Sequence, residues 1–144
     1  MKRRTAATAV AAVLAGDALL HLYWATGRTW PGQDTVELSQ LILNTDVPFT
    51  KPVLLPLATL LLGASATVLA QGGALKLPAP PAALTWGTRA VAGGMLLRGL
   101  AGVVWATGLG ADVHSRFYLI NLVLYTPLCL GGAALAWRAA RRTA

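Results

Sequence analysis

The sequence predicts an all-α protein, an integral membrane bundle of four helices, and three observations carry that reading. Of its 144 residues 56 % are hydrophobic and only 12 % are charged, which is too apolar for a soluble domain of this size. The apolar residues gather into four segments, about 5–26, 52–70, 84–108 and 117–137. Each is near the roughly 20 residues that a helix needs to cross a hydrocarbon core. The charged residues lie mostly at the ends of these segments, so residues 1–144 read as one four-span domain.

The first segment opens on Met1-Lys-Arg-Arg and a small-residue apolar run, as a secretory signal peptide does. It continues through Leu19, Leu20, Leu22 and Tyr23 to Ala25, which is long enough to span, and we read it as the first membrane helix. Within it, Asp17-Ala-Leu-Leu-His21-Leu-Tyr-Trp24 places an acid, an imidazole and an indole on one helical face. A central Asp costs roughly 2.5–3.5 kcal/mol on insertion scales, so partners from the other segments are expected.

A long loop follows, opened by Trp30-Pro31-Gly32 and closed by Asp46-Val-Pro48-Phe-Thr-Lys-Pro52. Inside it, Leu38, Leu41 and Ile42 share one face of a short amphipathic helix over 35–43, capped by Asp34 and stopped near Asn44. We expect this helix to anchor at the outer surface, with a lid above a pocket as the alternative. Pro56 and Pro127 lie inside the second and fourth segments and are expected to kink them, each freeing a carbonyl one turn earlier. The stretch from Gln71 to Pro81 is a Gly- and Pro-rich connection, and the one from Gly110 to Arg116 carries Asp112, His114 and Arg116. Ala7, Ala11, Ala15, Ala90, Gly94, Gly102, Gly131 and Gly132 are small enough to let helix backbones approach in lipid.

An even number of spans puts both termini on one side. Lys2, Arg3, Arg4, Lys76, Arg89, Arg138, Arg141 and Arg142 flank that side without an acid among them. Arg28, Lys51 and Arg116 share the other with Asp34, Glu37, Asp46 and Asp112, so the positive-inside rule predicts cytoplasmic termini. The aromatics fit a belt at each boundary, with Tyr23, Trp24, Trp30, Trp105, Phe117 and Tyr118 outside and Trp86 and Trp137 inside. The net charge of +7 is therefore a topology signal and not the footprint of a nucleic-acid binder. The single cysteine, Cys129, excludes an intrachain disulfide, and with two histidines the chain is short of ligands for a zinc site. No metal or cofactor is expected.

Trp24-Ala-Thr-Gly27 ends the first span and Trp105-Ala-Thr-Gly108 the third. At the same offset Asp17 falls on Arg98, and Leu55-Pro56-Leu57 resembles Thr126-Pro127-Leu128 at a shorter spacing. We read two parallel helical-hairpin repeats related by an axis along the membrane normal. Counted at 1.5 Å per residue, Asp17 and Tyr125 lie about 12 Å below the outer boundary, Arg98 about 15 Å, and His21 and Asn121 about 6 Å. Three spans thus offer polar groups at matching heights in the outer half, and facing them inward keeps charge from lipid.

Two readings of this constellation follow. In one, Asp17 and Arg98 form a buried ion pair that fixes helix register, hydrogen-bonded by His21, Asn121 and Tyr125. In the other, an outward-opening polar pocket binds a small amphipathic or lipid-like molecule and acts on it by acid–base chemistry. Arg98 would hold an anionic group, and His21 and Asp17 would form the acid–base pair. Tyr125 and Asn121 would orient the ligand, with Trp24 and Trp105 as walls. A third class is a proton-coupled transport or permeation protein, in which Asp17 and His21 relay protons and a homo-oligomer makes the path. No glycine-rich phosphate loop, paired His-Glu-x-x-His or nucleophile elbow is present.

At His21-Leu-Tyr-Trp24-Ala-Thr-Gly27, Leu97-Arg98-Gly99 and Tyr125-Thr-Pro127-Leu-Cys129-Leu, the chain resembles a family of small four-span bacterial membrane proteins classed as a domain of unknown function. The resemblance covers nearly the whole length. It implies four helices in the bacterial inner membrane, among membrane lipids, and one recurring design containing His21, Trp24, Gly27, Arg98, Tyr125 and Pro127. The Ala- and Arg-rich composition also resembles that of a high-GC bacterial genome.

Overall fold

The computed structural model describes residues 2–141; Met1 and 142–144, with Arg142 of the charge asymmetry, lie outside the described residues. Five helices follow in order: α1 (Arg3–Ala25), α2 (Thr35–Leu43), α3 (Lys51–Gln71), α4 (Pro81–Ala106) and α5 (Arg116–Ala140). All but α2 are long and apolar enough to cross a membrane, which makes this a multi-pass membrane protein. They overlap the four apolar segments, and no strand occurs among the described residues.

α1 and α3 pack as one antiparallel hairpin, α4 and α5 as a second. The hairpins meet where α1 lies on α5 and α3 on α4, which leaves α1 and α4 diagonally opposite. Two tight stops set the ends of α1 and α4. Thr26 and Thr107 turn their hydroxyls back onto the carbonyls of Tyr23 and Val104, at 2.6 and 2.7 Å. Gly27 and Gly108 then take φ of +92° and +84° and donate to the carbonyls of Trp24 and Trp105, both at 2.9 Å. A side chain with a Cβ disfavours that left-handed turn, so glycine follows the cap at both helix ends.

The main core lies toward the end that carries the termini. Ala7, Val10 and Leu14 of α1, Val68 of α3, Ala92 of α4 and Ala136 and Ala139 of α5 are buried together there. The four alanines among them let backbones come close, and such packing is a main source of cohesion for helices in lipid. Polar groups reinforce the same end. The Ser65 hydroxyl donates to the Ala11 carbonyl at 2.8 Å, and Arg3 donates to the backbone carbonyl of Gln71. The buried Gln71 side chain in turn bonds Thr85 of α4 and the Ala139 carbonyl of α5. One polar residue at the end of α3 therefore touches every long helix, a role the hydropathy pattern did not single out.

At the opposite, loop end, α2 is built as its sequence predicts. Asp34 accepts from the Glu37 backbone N–H at 2.8 Å, the Glu37 carboxylate accepts from the Gln33 N–H at 2.7 Å, and Asn44 closes the helix at φ +57°. Its apolar face, however, is spent on the protein. Leu38 is buried and Ile42 half-buried in a cluster with Trp24, Ala25, Leu54 and Phe49, and Leu41 is buried beside them on the same helix. Full burial of one such Leu is worth about 1.5–3 kcal/mol relative to water, so α2 is fastened across the ends of α1 and α3. The Arg116–Glu37 ion pair at 2.8 Å and the Asn44 side-chain bond to the Gly110 carbonyl, also 2.8 Å, tie α2 to the second hairpin. Trp24 and Phe117 are buried in this packing and are not belt residues; Trp30, Trp86 and Trp137 are exposed as a belt requires.

Candidate functional site

The four long helices do not fill the space between them. A cleft of about 1480 Å³ runs along the bundle, with walls from all four. α1 contributes Val13, Gly16, Asp17 and Leu20; α3 contributes Leu55, Pro56, Thr59, Leu60 and Gly63. Ala90, Gly94 and Arg98 come from α4, and Tyr125, Leu128 and Cys129 from α5. Ala90 and Gly94, expected to bring helices together, instead widen this space, and a Cβ added at Gly94 would meet nothing within 4 Å. Close approach falls on Gly102 and Gly132, where an added Cβ would lie 2.1 Å from Thr126 Oγ1 and from the Met95 methyl.

Arg98 is the most elaborately held group in the cleft. Its Nη1 donates to Asn121 Oδ1 at 3.1 Å, and its guanidinium carbon lies 4.9 Å from the Trp105 ring centre and 5.3 Å from that of Tyr125. Asn121 is fully buried and also donates from Nδ2 to the Gly102 carbonyl at 3.0 Å. That double engagement has a backbone cause. Proline at 127 has no N–H to continue the α pattern, and Asn121–Tyr125 widen into a π-helical turn, in which the Thr126 N–H reaches the Asn121 carbonyl. Pro127 thus acts through a local change of pitch. Arg98 Nη2 is buried and has no hydrogen-bond partner among the described residues.

Asp17 sits on the diagonal helix, and no ion pair joins it to Arg98. Similar depths were expected for the two charges, and they line one cleft from separate helices. The Asp17 side chain stays 48 % exposed, with its carboxylate 3.4 Å from His21 Nδ1. That same nitrogen lies 2.8 Å from the Asp17 backbone carbonyl, the geometry of an Nδ1–H donor. His21 is buried, does not line the cleft, and stands edge-on to Trp24 at 5.1 Å. Trp24 in turn donates from Nε1 to the Trp30 carbonyl at 2.8 Å and packs on Phe49.

Of the residues singled out from the sequence, the structure therefore assembles Arg98, Asn121, Tyr125 and Trp105 into one contact set, with Asp17 across the same cleft. His21 and Trp24 belong instead to the packed loop end. Thr126, whose buried hydroxyl has no partner among the described residues, and Cys129, in the cleft wall, are additions that no spacing pattern marked. Among the described residues no three His, Cys, Asp or Glu side chains gather as metal ligands. Comparison with curated proteins and with solved structures gives no match. The match that exists is to a family model spanning residues 5–136, and by it the chain belongs to the DUF3995 family, described as proteins of unknown function.

Proposed function

We propose that this protein binds an amphipathic, lipid-like molecule in the cleft, with Arg98 holding the molecule's anionic group. The observation that carries the reading is the state of Arg98. A guanidinium inside an apolar bundle costs roughly 2.5–3.5 kcal/mol on insertion scales, yet here it is fixed by Asn121, Trp105 and Tyr125 with one buried nitrogen left unbonded. A charge held this rigidly without an acidic partner suits recognition of a carboxylate or phosphate. The volume exceeds the roughly 300–1,000 Å³ of sites for drug-sized molecules, which favours a ligand with a long apolar part. The register reading lacks the ion pair on which it depends.

In this proposal Tyr125 borders the cleft beside Arg98, and Asn121 and Trp105, which do not line it, act by fixing Arg98. His21 holds Asp17 in place and does not itself reach the ligand. We further take the end carrying Arg3, Arg4, Arg89 and Arg138 as cytoplasmic in a bacterial inner membrane, because the four acids outside the spans, Asp34, Glu37, Asp46 and Asp112, all flank the loop end. The matched stops at Gly27 and Gly108 support the reading as two parallel repeats.

Mass spectrometry of protein purified in mild detergent tests the binding reading. A co-purifying amphiphile with an anionic group is expected, retained at least tenfold less by Arg98→Ala. Equal retention by the two proteins would overturn it.

A further inference from the structure

Asp17 and Arg98 line one cleft from diagonal helices, and neither neutralises the other. The ion-pair contact of Asp17 among the described residues is the 3.4 Å approach of His21, whose Nδ1 is already engaged by the Asp17 backbone carbonyl. Arg98 keeps an unbonded buried nitrogen. In an apolar cleft each charge gains from a partner of opposite sign. A purely anionic head on Arg98 would bring its charge into the cleft that Asp17 also lines, and a purely cationic head on Asp17 would share the cleft with Arg98. A head carrying both signs completes both walls at once.

We infer that the molecule held in the cleft is a long-chain zwitterion, its ammonium group on the Asp17 carboxylate and its phosphate or carboxylate on the Arg98 guanidinium. The inference rests on the binding reading above and adds the class of head group. The tail direction follows from the walls. From Arg98 to Gly87 the cleft continues along α4 for about 16 Å toward the terminal end, past Gly94 and Ala90, with Gly63 and Ala64 opposite on α3. No charged residue lines that stretch, and its small side chains leave room for an alkyl chain. The charged level lies nearer the loop end, so the head group sits there and the tail points away from α2.

The test is a competition read by native mass spectrometry. Delipidated full-length protein is exposed to equal amounts of three diacyl lipids with identical chains: a zwitterionic phosphoethanolamine, an anionic phosphoglycerol and a cationic trimethylammonium-propane lipid. Wild-type protein should retain the phosphoethanolamine lipid at least fivefold over either competitor. Asp17→Asn should bring the zwitterionic and anionic lipids to equal retention, and Arg98→Gln should release both. If wild-type protein takes the phosphoglycerol or cationic lipid as well as the zwitterion, the head-group inference fails while binding stands. Retention of none of the three overturns both. The wild-type competition decides these outcomes even where a variant does not fold.

Discussion

The two hairpins end their first helices on the same four residues but use the tryptophans in opposite ways. In the first, Trp24 is buried, hydrogen-bonded to the Trp30 carbonyl and packed edge-on against His21 and Phe49. In the second, Trp105 also meets a phenyl ring edge-on, Phe117 at 5.1 Å, but offers its face to Arg98. At the offset that relates the tryptophans, Asp17 corresponds to Arg98 and His21 to Gly102. The first hairpin thus fills its interior with its own imidazole, whereas the second leaves a gap that Asn121 and Thr126 of α5 enter. The consequence is electrostatic. Asp17 is held within its own helix, and Arg98 is held by a neighbouring one.

The most damaging way to break this contrast is to fill the gap. Gly102→Ala places a Cβ 2.1 Å from Thr126 Oγ1 and 3.1 Å from Asn121 Oδ1, and should destabilise by about 1–3 kcal/mol in SDS-titrated unfolding. Gly93→Ala, with nothing within 4 Å of the new atom, should instead be neutral or stabilise by about 0.5–1 kcal/mol. Similar losses for both would mean that Gly102 is not a close contact. Next, Asn121→Ala leaves the Gly102 carbonyl and Arg98 Nη1 without their partner. A loss of about 1–3 kcal/mol is expected, together with loss of ligand retention.

Smaller effects should separate the two tryptophans. Trp24→Phe removes the bond to the Trp30 carbonyl, for about 0.5–1.5 kcal/mol in thermal unfolding, and should leave ligand retention unchanged. Trp105→Phe keeps an aromatic face under Arg98 but a weaker one. It should cost no more than about 1 kcal/mol of stability and lower retention several-fold. If both substitutions alter retention alike, the division of roles between the hairpins is wrong. The smallest effect is expected from Arg116→Gln at the loop end. The two side chains of that ion pair are 60 % and 31 % exposed, so the change should stay below about 1 kcal/mol and shrink further in high salt.

How much of this was legible beforehand depends on which coordinate is asked about. Position along the membrane normal is counted from residues at a fixed rise, so an expectation of similar depths for Asp17 and Arg98 was readable. Which wall each charge occupies was not, because rotation about the helix axis and the choice of neighbours come from packing. The pairing of these two charges was expected from depth alone, and the diagonal placement of α1 and α4 prevents it. The face of α2 was equally plain in the positions of Leu38, Leu41 and Ile42. Whether that face met lipid or protein depended on Trp24 and Leu54 standing beneath it. Proline at 127 announced a disturbance, but its form as a π-helical turn that brings Asn121 onto both Arg98 and Gly102 required the facing helix.

Local chemistry written in a few consecutive residues was determined by the sequence itself. The number of long helices is set by the apolar segments and their length by hydrocarbon thickness, the limits of α2 by Asp34 and Asn44, and the stops of α1 and α4 by Trp-Ala-Thr-Gly. Only the tertiary structure decided which small residues became contacts and which became open space. Gly102 and Gly94 are the same residue on one helix, yet one admits a neighbouring side chain and the other borders the cleft. A glycine supplies no side chain to specify its partner, so its surroundings follow from how all four helices pack.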